Sequence, residues 1–515
     1  MEQKLWLRAQ RYVAEGQMTA AYISLQSLLQ RAPQHAQARV LMAGVVLAEG
    51  RMQEASAQVL AAVETMPADA DGICTLAQCL LRVGEVNAAR GCFEHPEIAR
   101  TRDAQALARL AHVRQMLGEH RDSLALMDRA RALGFDNPDF RYFRAIQLQF
   151  NGRIAEAETE LEACLRKGPT FGRASLTLAR LNRQTESSNH LAYIRAQLPR
   201  VPAGSEDHAA FEFAQYKELE DLGRHDEAWQ ALARGNAIMY RRMQHDPQRE
   251  ARLFDALIAA TSAPPPIAAQ PVDGPQPIFI VGLPRSGTTL LERILSNHSQ
   301  VTSAGELGDF SRQMRWVADH HGRALLDETL IVRLPKLDYA RIGRRYLEQT
   351  QWRAEGRAWY VDKLPPNWML VGLIRRALPN APILHMVRDG MDACYSNYKA
   401  LFGEAYPYSY DLDALGSHYL QYRRLMAHWH ATLPGQLMDV RYNDLVDDPD
   451  AMARRVLDYC GLPYEADTAD VTRNAAPVAT LSSAQVREPI HRRALGEWQR
   501  YARQLEPLRQ RIDPA

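Results

Sequence analysis

Residues 277–291 read Pro-Ile-Phe-Ile-Val-Gly-Leu-Pro-Arg-Ser-Gly-Thr-Thr-Leu-Leu, and this run decides the fold of the second half of the chain. An apolar segment rich in β-branched and aromatic residues leads into a turn with Gly, Pro and Ser, and a helical pattern follows. Units of this kind bind phosphate because successive backbone N–H groups and the helix N-terminus face the anion. We therefore predict a phosphate-binding loop, against the alternative of a Gly-rich turn that serves only packing.

This loop differs from that of an ordinary nucleoside triphosphatase. The spacing Gly282-x4-Gly287 matches a P-loop, which would carry Lys at position 288 to reach the β- and γ-phosphates. Thr288 and Thr289 follow Gly287 instead. A P-loop kinase is therefore the weakest hypothesis, also because no Mg²⁺-binding carboxylate of the expected kind is evident.

The composition limits the kinds of partner. A chain of 515 residues is too long for a single core, so we expect two or more domains. Lys plus Arg number 62 and Asp plus Glu number 61, which excludes the basic surplus typical of nucleic-acid binding. An anionic ligand must therefore be held by a local cluster of cations.

The cysteines and the apolar segments indicate a reduced, soluble protein. Of the six cysteines only Cys74 and Cys79 are close in sequence, which favours neither a zinc site nor a disulfide framework, and we expect no metal. The N-terminus has no apolar core of signal-peptide type, and no run of eighteen apolar residues occurs. We therefore expect a cytoplasmic protein without a membrane partner.

A glycine recurs every 34 residues in the first half of the chain. Glycine permits a tight turn between two antiparallel helices, a small residue lets the helices approach closely, and proline ends the preceding helix. The glycines are Gly16, Gly50, Gly84, Gly118 and Gly152; the small residues are Ala21, Ala55, Ala89, Ser123 and Ala157; the prolines are Pro33, Pro67 and Pro169.

This helix–turn–helix period resembles the tetratricopeptide repeat. The register covers roughly residues 1–171, breaks in the polar stretch 184–189 and resumes near 222–228. We predict a helical array over 1–260, a Pro-rich linker over 261–276 and an enzymatic domain over 277–515. Two uses of the array stay open: a groove that holds a protein or peptide, or a spacer or dimerisation arm that would make a homodimer.

Short apolar strands alternate with helices from residue 277 onward. The strand candidates are Ile278–Val281, Ala358–Val361, Ile383–Val387 and Leu437–Val440. This alternation predicts a parallel sheet covered on both faces, with ligands at the C-terminal ends of its strands. The expected fold is thus an all-α tetratricopeptide-like helical solenoid followed by an α/β P-loop-like domain with a central parallel sheet.

Four motifs of this half resemble the sulfotransferases, and in particular the tyrosylprotein sulfotransferases. They are Pro284–Thr289, Asp362–Pro365, Val387–Gly390 with Ser396, and the late segment 482–490. The chain is more similar still to bacterial proteins that join tetratricopeptide repeats to such a domain. The resemblance covers about residues 277–505.

The resemblance implies a donor, 3′-phosphoadenosine 5′-phosphosulfate, and transfer of its sulfuryl group to an acceptor hydroxyl. This donor needs two anion sites, one for its 5′-phosphosulfate and one for its 3′-phosphate. The implied donor-binding residues are Arg285, Ser286, Gly287, Thr288 and Thr289 around the 5′ group, Arg388 and Ser396 at the 3′-phosphate, Tyr442 near the adenosine, and Ser482 and Ser483 in the late segment.

The resemblance also assigns the catalytic roles. Lys363 and Arg285 are the candidates to neutralise the leaving phosphate oxygen. The family's general base falls on Glu306, for which the alternative is a capping carboxylate of a helix that starts near Gly308. His298 ranks second as a base.

One position departs from the tyrosylprotein enzymes. They carry a basic residue just before the closing tryptophan, where this chain has Glu497 before Trp498. Arg487, Arg492 and Arg493 are the candidates to supply that charge.

The leading hypothesis is a sulfotransferase whose array presents a protein or peptide tyrosine. The rivals are the same chemistry on a small molecule, glycan or lipid, and a tetratricopeptide scaffold with a silent domain. The aromatic segment 401–410 suits the wall of an acceptor pocket of either kind. The presence of Arg285, Glu306, Lys363, Arg388 and Ser396 together argues against a silent domain.

Overall fold

The first half of the chain is built from α-helices in antiparallel pairs. The computed structural model describes residues 1–263, 273–480 and 488–513. The helices are α1 (Glu2–Ala14), α2 (Met18–Arg31), α3 (Ala36–Ala48), α4 (Met52–Val63), α5 (Ala70–Val83), α6 (Val86–Gly91), α7 (Pro96–Arg100), α8 (Ala104–Met116), α9 (His120–Ala132), α10 (Pro138–Phe150), α11 (Ile154–Lys167), α12 (Gly172–Leu181), α13 (Leu191–Gln197), α14 (Glu206–Asp221), α15 (His225–Met243) and α16 (Pro247–Thr261).

The repeat register predicted from the glycines is confirmed. Each repeat glycine joins two antiparallel helices and has a φ between 73° and 86°, the left-handed region in which a side chain would be strained. The small residue five positions later is fully buried in every unit. The pairing is interrupted after α12 and resumes with α14 and α15, which are joined at Gly223 with φ 74°.

The second half is an α/β unit around one parallel sheet. Its five strands in the described residues have the spatial order β2-β3-β1-β4-β5. The strands are β1 (Gln276–Gly282), β2 (Val301–Gly305), β3 (Trp359–Asp362), β4 (Ile383–Val387) and β5 (Met438–Arg441). The helices are α17 (Thr288–Leu295), α18 (Asp309–Val317), α19 (Glu328–Arg333), α20 (Tyr339–Thr350), α21 (Val371–Ala377), α22 (Gly390–Tyr398), α23 (Leu412–Thr432), α24 (Tyr442–Asp447), α25 (Pro449–Tyr459) and α26 (Ala502–Ile512).

Strand β1 lies at the centre of the sheet and is buried on both faces. Phe279 and Val281 pack into a core with α18, α20, α21 and α23, whereas Ile278 and Ile280 pack into a second core with α17 and α25. A strand buried on both sides has an apolar run rather than an alternating pattern. The predicted parallel sheet is therefore confirmed, and it has one strand more than was predicted.

Strand β2 is the unpredicted strand. Its residues Val301-Thr302-Ser303-Ala304-Gly305 are small or polar, and only Val301 is buried, so they form no apolar run of the kind that predicts a buried strand. It pairs with β3 at the edge of the sheet. Its position matters because Glu306 follows its C-terminal end directly.

The turns of the helical array pack against the α/β unit, a contact that the repeat pattern does not reveal. The carbonyl of Gly84 accepts a hydrogen bond from Gln313 Nε2 at 2.7 Å, and Glu85 Oε1 pairs with Arg345 Nη2 at 2.7 Å. One turn along, the carbonyl of Leu117 accepts from Arg353. The array and the sheet therefore share a specific polar interface.

A second contact links α14 and α15 to α22. The hydroxyls of Tyr216 and Tyr395 lie 3.0 Å apart, and Asn236 Nδ2 donates to the carbonyl of Tyr398 at 3.1 Å. Both tyrosines belong to one apolar core to which the two halves of the chain contribute. Removal of the array would expose this core, so point variants are the better test of the array.

The interface at Gly84 makes the first prediction. A Cβ added at Gly84 would lie 2.9 Å from Gln313 Nε2, whereas one added at Gly50, with nearly the same φ, would meet nothing within 4 Å. We expect Gly50→Ala to lower the free energy of unfolding by about 1 kcal/mol through backbone strain alone, and Gly84→Ala to lower it further. Denaturant unfolding of both variants measures the difference. Equal losses would show that the turn does not bear on the interface.

Candidate functional site

The loop between β1 and α17 has the conformation of an anion cradle. Arg285 adopts φ 65° and Gly287 adopts φ 106°, immediately before the first residue of the helix. A Cβ on Gly287 would lie 2.5 Å from Cδ2 of Tyr442, so the tyrosine ring packs directly on the glycine. Only glycine fits this position, and the loop stands at the C-terminal end of the central strand.

Polar groups buried in this loop fit a bound oxyanion. Ser286 is 1% exposed, and its hydroxyl forms no hydrogen bond with any residue that the structure describes. Thr288 and Thr289 begin α17 and are buried as well. Buried hydroxyls normally have a partner, and an anion at the helix N-terminus would supply one. The chemistry of this donor set therefore suits a phosphate or sulfate group.

Arg388 follows β4 and lies against the same loop. Its Nη1 donates to the carbonyl of Arg285 at 2.8 Å, and its Nη2 donates to the carbonyl of Ala494. Its guanidinium lies 4.9 Å from the ring centroid of Tyr442, and its Nε finds no acceptor in the described residues. Both terminal nitrogens are thus engaged by backbone carbonyls. A phosphate contact from Arg388 requires its Nε–H or an exchange of these partners.

The two anion sites that the motifs suggest share one cationic cluster. Burial, together with the charges of Arg180 and Arg388, lowers the pKa of Arg285 to about 10. The side chain of Arg285 is therefore within electrostatic reach of Arg388. Ser396, the other residue predicted at the 3′-phosphate, is 4% exposed on α22.

Lys363 lies at the centre of a second charged group. It follows β3, and its side chain is 1% exposed. Its Nζ lies 2.6 Å from Glu306 Oε1 and 3.6 Å from Glu292 Oε2. Burial alone would lower the pKa of Lys363, but the two carboxylates outweigh it and raise that pKa. The ammonium therefore stays charged at neutral pH.

Glu306 is the exposed end of this group. Its side chain is 39% exposed, whereas those of Lys363 and Glu292 are buried. The helix α18 begins at Asp309, and its first N–H groups donate to no capping side chain among the described residues, so the alternative role of Glu306 as a cap is not realised. The geometry leaves Glu306 as a carboxylate that a solvent-borne substrate can reach.

Glu292 is a residue of the site that the motifs did not reveal. It lies on α17 with 5% exposure, accepts a hydrogen bond from Ser303 Oγ at 2.6 Å, and burial raises its pKa. The available signal was a carboxylate among the apolar Leu291, Ile294 and Leu295 on a short helix. A charged residue at such a position requires a buried partner, which is Lys363.

The aromatic segment 401–410 approaches the base. The rings of Phe402 and Tyr406 contact each other at 4.8 Å, and Tyr410 fixes the turn by accepting from Phe402 N at 2.9 Å. Burial raises the pKa of Tyr406, and the charge of Glu306 raises it further. Tyr406 therefore lies within electrostatic reach of Glu306.

His298 has a structural role. It is fully buried, and its Nε2 lies 2.9 Å from the carbonyl of Pro463, while its Nδ1 accepts from the backbone N of Gln300 at 3.1 Å. Both ring nitrogens are thus engaged inside the fold. Its second ranking as a base is consistent with this environment.

The late segment is described in part. Ser482, Ser483 and Arg487 lie outside the described residues. Tyr442, predicted at a strand end, is instead the first residue of α24, because β5 ends one residue earlier.

Neither of the described arginines proposed to replace the family's basic residue lies free at the site. Arg492 pairs with Asp447, and Arg493 Nη2 lies 2.9 Å from Glu488 Oε2. Glu497 itself accepts from Lys399 Nζ at 2.5 Å. Burial alone would raise the pKa of Glu497, but Lys399 outweighs it, so the pKa is lowered and the carboxylate is ionised.

Within residues 1–263, 273–480 and 488–513, no helix combines the length and the apolar character that a membrane span requires.

Comparison with known proteins agrees with this architecture. Residues 277–466 match the model of the sulfotransferase family, and residues 12–72 match that of the tetratricopeptide repeat. A protein of Aquifex aeolicus is 30% identical over 320 residues, which are 60% of this chain and 42% of that protein. A protein-tyrosine sulfotransferase of Drosophila melanogaster is 26% identical over 243 residues, which are 43% of this chain and 46% of that protein.

The match to these two relatives therefore covers less than half of their length. Among solved structures, the sulfotransferase domain of the Synechococcus PCC 7002 olefin synthase aligns with a TM-score of 0.33 at 20% identity, over 45% of this chain and 91% of that domain. In this chain, the segment that matches the sulfotransferase family thus follows a segment that matches the tetratricopeptide repeat.

Proposed function

We propose that this protein is a sulfotransferase that moves a sulfuryl group from 3′-phosphoadenosine 5′-phosphosulfate to an acceptor hydroxyl. The observation that carries the proposal is the pair Lys363 and Glu306, an exposed carboxylate whose Oε1 lies 2.6 Å from a buried ammonium. It lies at the same sheet edge as the loop before α17. A phosphate-binding loop with a base nearby is what transfer to a hydroxyl requires.

The loop and its surroundings support the donor. The unpartnered hydroxyl of Ser286 and the N-terminus of α17 suit one oxyanion of the donor. The neighbouring arginines supply further positive charge, and the packing of Tyr442 on Gly287 offers an aromatic face near the loop. These residues would bind and orient a bisphosphorylated nucleotide without a metal ion.

The charged group around Lys363 supports the transfer step. Glu306 accepts the proton of the acceptor hydroxyl as that oxygen bonds to sulfur and the bond from sulfur to the 5′-phosphate oxygen breaks. The leaving phosphate gains negative charge in this step, and Lys363 is the ammonium that offsets it. Because Glu292 also neutralises Lys363, the ammonium remains charged when Glu306 takes the proton.

We further propose that the acceptor is a tyrosine of a protein or peptide. Relatives of this chain include proteins named protein-tyrosine sulfotransferase in fly and chicken. The segment 401–410 places aromatic residues near Glu306, which suits a phenol. The competing acceptor is a small molecule, glycan or lipid, and a protein named nodulation protein NoeE is also similar to this chain at 27% identity.

A cytoplasmic location belongs to the same proposal. All six cysteines are free, and five of them are buried, which fits a reducing compartment. A protein or peptide bound by the helical array, and a homodimer formed through it, are likewise proposals for which the repeat architecture is the support.

Transfer of label identifies the acceptor. The purified protein is incubated with donor that carries radioactive sulfate and with a lysate of its own host, and labelled species are identified by mass spectrometry. We expect label on protein tyrosines. Label only on small molecules, glycans or lipids would replace the tyrosine proposal, and no labelled species in any fraction would contradict the enzymatic proposal.

A further inference from the structure

One arginine of the helical array, Arg180, lies within electrostatic reach of Arg285 and has no acidic partner among the described residues. Arg180 is in the last turn of α12 and is half-buried. Among the residues that the structure describes, its guanidinium forms no hydrogen bond and no ion pair. Burial lowers the pKa of Arg180 to about 10, and the groups that oppose this are Tyr142, Tyr216 and Tyr410 rather than a carboxylate.

Arg180 adds its charge to a cluster that is already positive. Its charge acts on Arg285 more strongly than that of Arg388 does. The carboxylate of Glu497, which is bonded to Lys399, opposes this effect. The positive charges of Arg180 and Arg388 thus both act on Arg285.

Buried cations normally have an anionic partner, because an uncompensated charge in a poorly solvated place is costly. A cation without such a partner, as Arg180 is here, weakens the fold and is useful where a ligand brings the missing negative charge.

The helical array is fixed against the site at this place. The backbone N of Val478 donates to the carbonyl of Phe150, at the end of α10, at 3.0 Å. Leu176 and Ala179 of α12 belong to the same apolar core as Tyr410 of the aromatic segment. Arg180 is therefore held in place by packing that joins the two halves of the chain.

We infer that Arg180 is an anion-binding residue of the active site, which the helical array contributes, and that with Arg285 it binds a phosphate or sulfate oxyanion. The inference rests on the proposed function, whose donor and whose sulfated product both carry such groups. The guanidinium of Arg180 forms charge-assisted hydrogen bonds with the oxyanion. The helical array then completes the active site, in addition to any binding of a partner in its groove.

The test uses Arg180→Gln in the full-length protein, with Arg180→Lys as a second variant that retains the charge. Arg183 is exposed and lies three residues further along the chain, so Arg183→Gln removes the same charge from the same region as a matched control. The probes are adenosine 3′,5′-bisphosphate, inorganic pyrophosphate and tyrosine O-sulfate, measured by calorimetry. The melting temperature of every variant is measured in parallel.

We expect Arg180→Gln to weaken the binding of at least one probe tenfold or more, and Arg180→Lys to weaken the binding of that probe less. Arg183→Gln should change the dissociation constants of all three probes by less than twofold. Weaker nucleotide or pyrophosphate binding assigns the oxyanion to the donor, and weaker binding of tyrosine O-sulfate alone assigns it to the acceptor. The melting temperature of Arg180→Gln should not fall, because the substitution removes repulsion between arginines.

The inference is overturned if Arg180→Gln and Arg183→Gln bind all three probes equally, or if Arg180→Gln loses affinity only together with a lowered melting temperature. Failure of this inference can be distinguished from failure of the proposed function. If the unsubstituted protein binds the nucleotide and Arg180→Gln weakens the binding of none of the three probes, the inference alone is contradicted. Arg180-dependent binding of pyrophosphate without any nucleotide binding would contradict the donor alone, and no binding of any probe would contradict both.

Discussion

Replacing Glu306 by Gln should lower kcat by two to four orders of magnitude and leave nucleotide affinity within about threefold. General-base catalysis contributes about this much to a rate, and Gln cannot accept the proton although it retains the shape of the side chain. Lys363 keeps Glu292 as a carboxylate partner, so the fold should be little affected. The measurements are single-turnover transfer from labelled donor and calorimetric binding of adenosine 3′,5′-bisphosphate.

The control for this variant is Glu348→Gln, which removes an exposed carboxylate at the end of α20, remote in sequence from the base. It should keep full activity. Turnover by Glu306→Gln within about threefold of the unsubstituted rate would remove Glu306 from the mechanism. The search for a base would then turn to other groups near the segment 401–410.

Replacing Lys363 by Met should abolish transfer and lower the free energy of unfolding by about 3–5 kcal/mol. The substitution leaves Glu292 buried without its cation, and a buried charge that loses its partner is strongly destabilising. Because the folded state raises the pKa of Lys363, its contribution to stability is complete below the unfolded-state pKa of about 10.4 and is lost only as the pH rises through the higher folded-state pKa. Denaturant unfolding at neutral pH therefore measures the full effect.

The double variant Lys363→Met with Glu292→Gln separates stability from catalysis. It removes the buried carboxylate together with its cation, and the introduced amide would still accept a hydrogen bond from Ser303. We expect most of the lost stability to return while transfer remains absent. Recovery of activity in the double variant would show that Lys363 acts only by holding the fold together.

The array and the sheet were accessible to sequence reasoning because their signals are local. The 34-residue glycine period reports a backbone conformation, and every repeat glycine has the positive φ that the pattern implies. Four strands were predicted because each is a short segment made mostly of apolar residues. Strand β2 was not, because its small and polar residues are stabilised by pairing with β3 at the edge of the sheet rather than by burial.

The sequence predicted individual residues of the site but not the contacts that these residues make with one another. Glu306 and Lys363 were both named, yet their direct contact and the role of Glu292 depend on how α17 packs against β2 and β3. The engagement of Arg388 by two backbone carbonyls has no local signature. Arg180 lies more than one hundred residues before the loop, and only the packing of the array on the sheet brings it there.

Calorimetric titration of adenosine 3′,5′-bisphosphate in the absence of magnesium tests the central claim most directly. The proposed donor site predicts saturable binding of this nucleotide that Mg²⁺ does not strengthen, and much weaker binding of ATP under the same conditions. Tight binding of ATP with Mg²⁺ but none of adenosine 3′,5′-bisphosphate would contradict the assignment of the loop before α17 to a sulfuryl donor.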